Sequence, residues 1–243
     1  MIVSNFGILT EDMLIIGHRG AAGLAAENTV EAMRTGIASG ADILEFDVKM
    51  TRDKQLLVIH DSTLLRTHKK QHIIRWSTHD SIKIATEKGH KIATLEEVLD
   101  LFYGKVLLNL EIKSSGAAKY IVELLHTKYI QKPSDWENIL ISSYKPSELI
   151  KVRNASKDAE LSLIHKRNPF NFMFYQRRLN LTAVGFHRLY VNTLCVEVAK
   201  QLGIFTYVYT VNRPDAAIAL SRQGIDGVVT DNPLLMKNIK SRV

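Results

Sequence analysis

Eight short apolar runs punctuate the chain, at residues 13–17, 43–48, 106–112, 139–143, 161–165, 183–186, 204–210 and 227–230. Stretches such as "MLIIG", "VLLNLEI" and "ILISS" are near-continuous rather than alternating. Strands covered on both faces carry that pattern. Helical signals lie between the runs. "ENTVEAMRTGIASG" offers Asn28 as N-cap, Glu31 three positions on, apolar Val30, Met33 and Ile37, and Gly40 as a stop. "TLEEVLDLF" repeats the logic with Thr94 and Glu97, and "NRPDAAIALSRQG" places Pro214 in a first turn and Gly224 past the last. Strand–helix units repeated eight times predict an α/β fold, a (β/α)8 TIM barrel. An open doubly wound sheet is the competing arrangement, but no Gly-rich fingerprint follows the first run.

A further run, "LLVIHD" (56–61), follows the second after only "TRDKQ". That is too short for a parallel crossover and predicts a β-hairpin. A turn centred near Asp53–Lys54 would set His60 opposite Asp47, in a register that a one-residue slip would undo. Residues 62–93 then form a long connection without a sustained apolar period. The chain therefore reads as a single domain over 1–243, with an insertion at about 51–93 after strand 2.

With 243 residues, 46 % of them hydrophobic and 23 % charged, the chain can bury a core that needs no disulfide or metal staple. The single cysteine excludes an internal disulfide and a cysteine-built zinc site. No run reaches the ~20 apolar residues of a membrane span. The opening segment lacks a basic n-region and carries Glu11 and Asp12 before its apolar run, so no signal peptide is expected and a cytoplasmic location is. A net charge of +7 favours anionic partners. Without zinc-finger spacing, an RNP-like motif or a long basic run, nucleic acid has only charge to recommend it.

Barrels of this kind build their sites at the C-terminal ends of the strands. His18 and Arg19 end the first. Glu45 and Asp47, two apart, share one face of the second; Glu111 and Lys113 do the same on the third. His60 returns to the same rim through the hairpin. Carboxylates converging on one mouth repel unless a cation sits among them. Oxygen ligands suit one hard divalent ion, Mg2+ or Ca2+. Arg19 and Lys113 suit an anionic group such as phosphate, and two flanking histidines suit acid–base work. Each element alone has an ordinary structural explanation; their recurrence on successive strands is the signal.

"HRG", "ENT", "GADILEFDVKMTRD", "VIHDSTLLRT", "TLEEVL", "LNLEIK", "YTVN" and "TDNP" occur in that order, and the set resembles the glycerophosphodiester phosphodiesterases over residues 14–233. The resemblance implies a barrel enzyme that uses a divalent cation to hydrolyse glycerophosphodiesters to glycerol 3-phosphate and an alcohol. By motif position it implies metal ligation by Glu45, Asp47 and Glu111, and acid/base roles for His18 and His60. It also implies phosphate holding by Arg19 and Lys113, with Glu27 and Asn28 supporting the site. The nucleophile is either water or the substrate's own glycerol 2-hydroxyl. Three positions depart from the family: Tyr209 stands for a usual Trp, Ala93 for a usual Pro, and Lys54 for the Gly of a usual Asp-Gly turn. Tyr209 is expected to alter contact with the substrate alcohol.

One segment lies outside these motifs. "KRNPFNFMFYQRRLNL" (166–181) sets aromatics between Arg167 and Arg177–Arg178. Such a pattern suits either a barrel helix or lid, or a weak membrane-surface contact through 167–178. In the second case a lysophospholipase D-type hydrolase acting on lysophospholipids becomes the alternative. Oligomeric state has no signature in the chain.

Overall fold

The computed structural model describes residues 13–237. The opening segment with Glu11 and Asp12 lies outside them. Elements run β1 (Leu14–Gly17), α1 (Val30–Ala38), β2 (Ile43–Met50), β3 (Leu56–Val58), α2 (Leu65–His68), α3 (His79–Ala85), α4 (Leu95–Phe102), β4 (Leu107–Ile112), α5 (Ala117–Lys128), β5 (Ile139–Ser143), α6 (Pro146–Ala155), β6 (Glu160–His165), α7 (Asn171–Leu179), β7 (Ala183–His187), α8 (Thr193–Gln201), β8 (Phe205–Tyr209), α9 (Pro214–Arg222), β9 (Gly227–Thr230) and α10 (Pro233–Met236). Strands β1, β2, β4, β5, β6, β7, β8 and β9 pair in parallel and close through β9–β1 and β1–β2 into a TIM barrel. β3 lies outside the ring, antiparallel to β2. No described helix is long and apolar enough to cross a membrane.

Alternation along each strand separates two cores. Outward residues such as Ile15, Phe46, Leu110, Ile141, Leu163, Phe186 and Val208 pack under the helices. Inward residues Ile16, Ile43, Leu140, Ala183, Phe205, Tyr207 and Val229 fill the barrel. Higher up, the inward positions become polar: Glu45 pairs with Asn109, and a pleat above Asp47, Glu111, Ser142 and Ser162 lie side by side by strand register. The barrel is thus plugged below and charged at the mouth.

Helix boundaries follow local chemistry. α4 starts on the expected capping box, Thr94 and Glu97 bonding reciprocally at 3.1 and 2.9 Å. α9 has Pro214 at its start and Gly224 at φ +85° beyond its end. α1 corrects the sequence expectation: Thr29 is the N-cap, accepting from Ala32 N–H at 3.1 Å, whereas Asn28 is buried and serves Asp47.

The hairpin exists, but its register is one residue off the expected one. Val48 faces Val58, and Ile59 N–H donates to Asp47 C=O at 2.9 Å, so Ile59 rather than His60 stands opposite Asp47. The cause is a three-residue turn: Thr51 pairs with Gln55, with Lys54 in the left-handed region at φ +70°. Past the hairpin, the insertion packs Leu64, Ile74 and Ile82 onto Leu57 and Ile59 as a small satellite core.

Tyr207 fixes the floor of the mouth. It is buried, its hydroxyl meets Ser162 Oγ at 2.9 Å, and its ring lies over Gly185. A methyl group at 185 would stand 2.6 Å from that ring. Gly185→Ala should therefore destabilise the fold by about 1–3 kcal/mol through overpacking. Urea unfolding reads this as a lower midpoint at unchanged slope; an unchanged midpoint would mean that the ring is free to move.

Candidate active site

The turn after β1 is shaped by its glycines. A Cβ on Gly17 would overlap the Gly20 carbonyl, and one on Gly20, at φ +88°, would stand 2.6 Å from the backbone of α1. That close approach lets Gly20 N–H reach Glu45 C=O at 3.0 Å and Arg19 N–H reach Glu45 Oε2 at 2.8 Å. The residues between the glycines, His18 and Arg19, are thereby held over the barrel mouth.

Glu45, Asp47 and Glu111 are all buried, and each offers an oxygen within 4.8 Å of the other two. Cations and amides already crowd them. Lys113 Nζ lies 3.1 Å from Asp47 and also against Glu111; Arg19 Nε lies 3.4 Å from Asp47. Asn28 donates from Nδ2 to Asp47 Oδ2 at 2.8 Å and accepts from Asp47 N–H at 3.0 Å. Burial would raise Asp47, but Lys113 and Arg19 hold it below the usual carboxylate range. Burial, with Asp47 adding to it, raises Glu45. Glu111 is pushed well above the usual range by burial, against the pull of Lys113 and with Asp47 and Glu45 adding.

Both histidines are tied through Nδ1 to a carboxylate. His18 meets Asp231 at 2.5 Å, and His60 meets Asp61 at 2.7 Å. The second ring nitrogen of each is left for the mouth, and both rings line it. Burial opposes a charge on His18, yet the Asp231 bond and the field of Glu45 outweigh it, so its pKa lies above 6.5. At His60 burial prevails over Asp47 and Asp61, and its pKa lies below 6.5.

Further residues that the sequence reading did not single out complete the site. Asn212 donates to Asp231 at 2.6 Å, and Arg66 donates to Asp61 at 2.6 Å and to Glu27 at 2.9 Å. Glu27 also accepts from Arg19 at 2.8 Å. A continuous chain therefore runs Arg19–Glu27–Arg66–Asp61–His60. Asp61, Arg66, Asn212 and Asp231 all sit inside the quoted motifs "VIHDSTLLRT", "YTVN" and "TDNP", so their signal was present.

Together these groups open into a cavity of about 340 Å3. Its far wall holds Tyr144, Ile164, His187, Arg188 and Tyr209. Tyr209 reaches it from the end of β8, its hydroxyl donated to the His165 carbonyl, so its ring rather than its oxygen bounds the space. The aromatic segment divides. Phe172 is buried beside Phe186 and His165, whereas Met173 and Phe174 on the same helix are exposed.

Similarity to known proteins extends over nearly the whole chain. A family model, the glycerophosphoryl diester phosphodiesterase family, matches residues 18–235. A glycerophosphodiester phosphodiesterase of Caldanaerobacter subterraneus is 31 % identical, covering 93 % of this chain and 97 % of that protein. The structure of a Thermotoga maritima glycerophosphodiester phosphodiesterase superposes with a TM-score of 0.79 at 27 % identity, covering 92 % of this chain and 96 % of that one. An Oleispira antarctica phosphodiesterase, solved with sn-glycerol-3-phosphate, shares the fold with a TM-score of 0.83 at 23 % identity over 94 % of this chain and 96 % of its own. The matched span begins at His18 and passes Asp231, taking in both histidines with their carboxylates, and the chain belongs to the glycerophosphoryl diester phosphodiesterase family.

Proposed function

We propose that this chain hydrolyses glycerophosphodiesters to glycerol 3-phosphate and an alcohol, with Glu45, Asp47 and Glu111 holding one divalent cation and His18 and His60 handling the protons. The observation that carries this reading is the pairing of two histidines, each anchored by its own carboxylate, beside one buried carboxylate trio. The trio fits a cation. Its donors are oxygens of three buried carboxylates within 4.8 Å of one another, and burial, with mutual repulsion adding to it, raises Glu45 and Glu111. An all-oxygen set suits Mg2+ or Ca2+. When bound, such an ion supplies Lewis-acid polarisation of a phosphoryl oxygen.

The chain's own groups do the rest. Arg19 and Lys113 hold the anionic phosphate oxygens. His60, with the lower pKa, is neutral near neutrality and takes the proton of the attacking oxygen, either water or the glycerol 2-hydroxyl, whose cyclic phosphate water then opens. His18, with the higher pKa, carries a proton and delivers it to the leaving alcohol. Opposite shifts of paired groups are how one site houses both an acid and a base. Asp231 and Asp61 fix which ring nitrogen faces the mouth. A glycerophosphodiester also fits the neighbour solved with sn-glycerol-3-phosphate.

His18→Ala and His60→Ala should each lose about 10²-fold or more in kcat, with unchanged circular dichroism. The assay is glycerol 3-phosphate release from glycerophosphocholine and glycerophosphoethanolamine. Near-normal turnover by either variant would refute its role. As the acid, His18 must be protonated, so activity falls as pH rises through its pKa. Asp231→Asn removes a cause of that elevation and should move the alkaline limb of the pH–rate profile down by about one unit; a limb that stays put would remove His18 as its source.

A further inference from the structure

Beside the mouth, on the other side of Lys113, lies a second cavity of about 340 Å3. Its walls come from the end of β2, the turn to β3, the insertion, and the loops after β4 and β5. They present Lys49, Lys54, Arg75, Lys113 and Lys145 together with the hydroxyls of Thr51, Ser62, Ser114 and Ser115, and no carboxylate lines it. Lys113 is already paired with Asp47 and Glu111 from the mouth side, but four further cations around a single space that no acid lines call for an anion.

Several details make it a built site. Lys49 continues the inward face of Glu45 and Asp47 and is 9 % exposed, yet its ammonium reaches only a neutral partner, Ser62 Oγ at 3.2 Å. Among the described residues no carboxylate lies within ion-pair distance of Lys49, Lys54, Arg75 or Lys145, although eleven such pairs form elsewhere. The acid on the adjoining turn, Asp53, is taken up by Thr51 Oγ1 at 2.5 Å and His79 N–H at 3.1 Å. Lys145 is fixed by bonds of 3.0 Å from Nζ to the Lys113 carbonyl and to Ser115 Oγ. Lys54 keeps its side chain on this wall from a left-handed backbone position that disfavours any side chain.

We propose that this cavity is a second oxyanion site, with room for a phosphate or carboxylate group and the moiety that carries it, and that its occupant is an extra anionic group on the alcohol half of an extended diester. Lys113 borders both cavities, so one ligand can reach from the carboxylate trio into the basic space. This rests on the hydrolase reading above for its source of the anion, though not for the anion site itself.

The test compares glycerophosphoinositol with glycerophosphoinositol 4-phosphate, two diesters that differ by one phosphate group. Wild-type protein should favour the phosphorylated diester by about tenfold or more in kcat/KM, as charge-assisted hydrogen bonds allow. Arg75→Ala/Lys145→Ala should lose that preference while keeping its rate on glycerophosphoinositol. In parallel, inorganic phosphate is titrated calorimetrically into both proteins. Binding at a second site that the double variant lacks, without any substrate preference, would support the oxyanion site but assign it to free phosphate. Equal preference in both proteins together with equal phosphate stoichiometry would overturn the proposal. Failure of both diesters, with phosphate still bound through Arg75 and Lys145, would sink the hydrolase reading and leave the anion site standing. Should the double variant unfold, Arg75→Ala alone, at an exposed position, gives the same comparison.

Discussion

Three carboxylates buried together at the mouth of a barrel are the constraint on which the rest of this molecule depends. Like charges at that spacing, shielded from water, cannot all ionise without compensation. The fold answers with Lys113 from the same strand face as Glu111, Arg19 from a glycine-framed turn, and the Asn28 carboxamide, which grips Asp47 from both its donor and its acceptor side. The compensation is partial: burial and mutual repulsion still leave an elevated affinity for protons at Glu45 and Glu111.

That compensation spreads outward. Arg19 neutralises Asp47 and also holds Glu27; Glu27 holds Arg66, and Arg66 holds the carboxylate that orients His60. His60 lies past the end of β3, where strand pleating no longer dictates a side chain's direction. Its placement is therefore electrostatic, and the insertion that supplies Arg66 is part of the site's scaffold. His18 is placed by shorter means, a backbone bond to Thr230 and the neighbouring Asp231. The two rings thus reach one mouth by unlike routes and acquire unlike proton affinities.

Much of this was legible in the chain itself. Doubly buried strands announce themselves as apolar runs, and Glu45–Asp47 and Glu111–Lys113 fall on inward faces because strand alternation is strict. The capping box at Thr94 and the Pro214–Gly224 helix were readable because caps are local. Misreadings arose where a local signal competed with a distant one. Asn28 resembles an N-cap until Asp47, 19 residues away, claims its side chain. The hairpin register depended on whether two or three residues make the turn, which Lys54 at a positive φ decides against expectation. Asp231 lies 213 positions from the ring it orients, and the basic cavity gathers lysines from separate loops; no periodicity records either.

The most direct measurement is a calorimetric titration of Mg2+ and of Ca2+ into the purified protein, beside Glu111→Gln, across a series of pH values. Because Glu111 holds its proton unusually tightly without a cation, the account predicts binding at one site that strengthens as pH rises, releases protons, and is lost in the variant. Folded protein that binds neither ion, or binds equally well after Glu111→Gln, would contradict it.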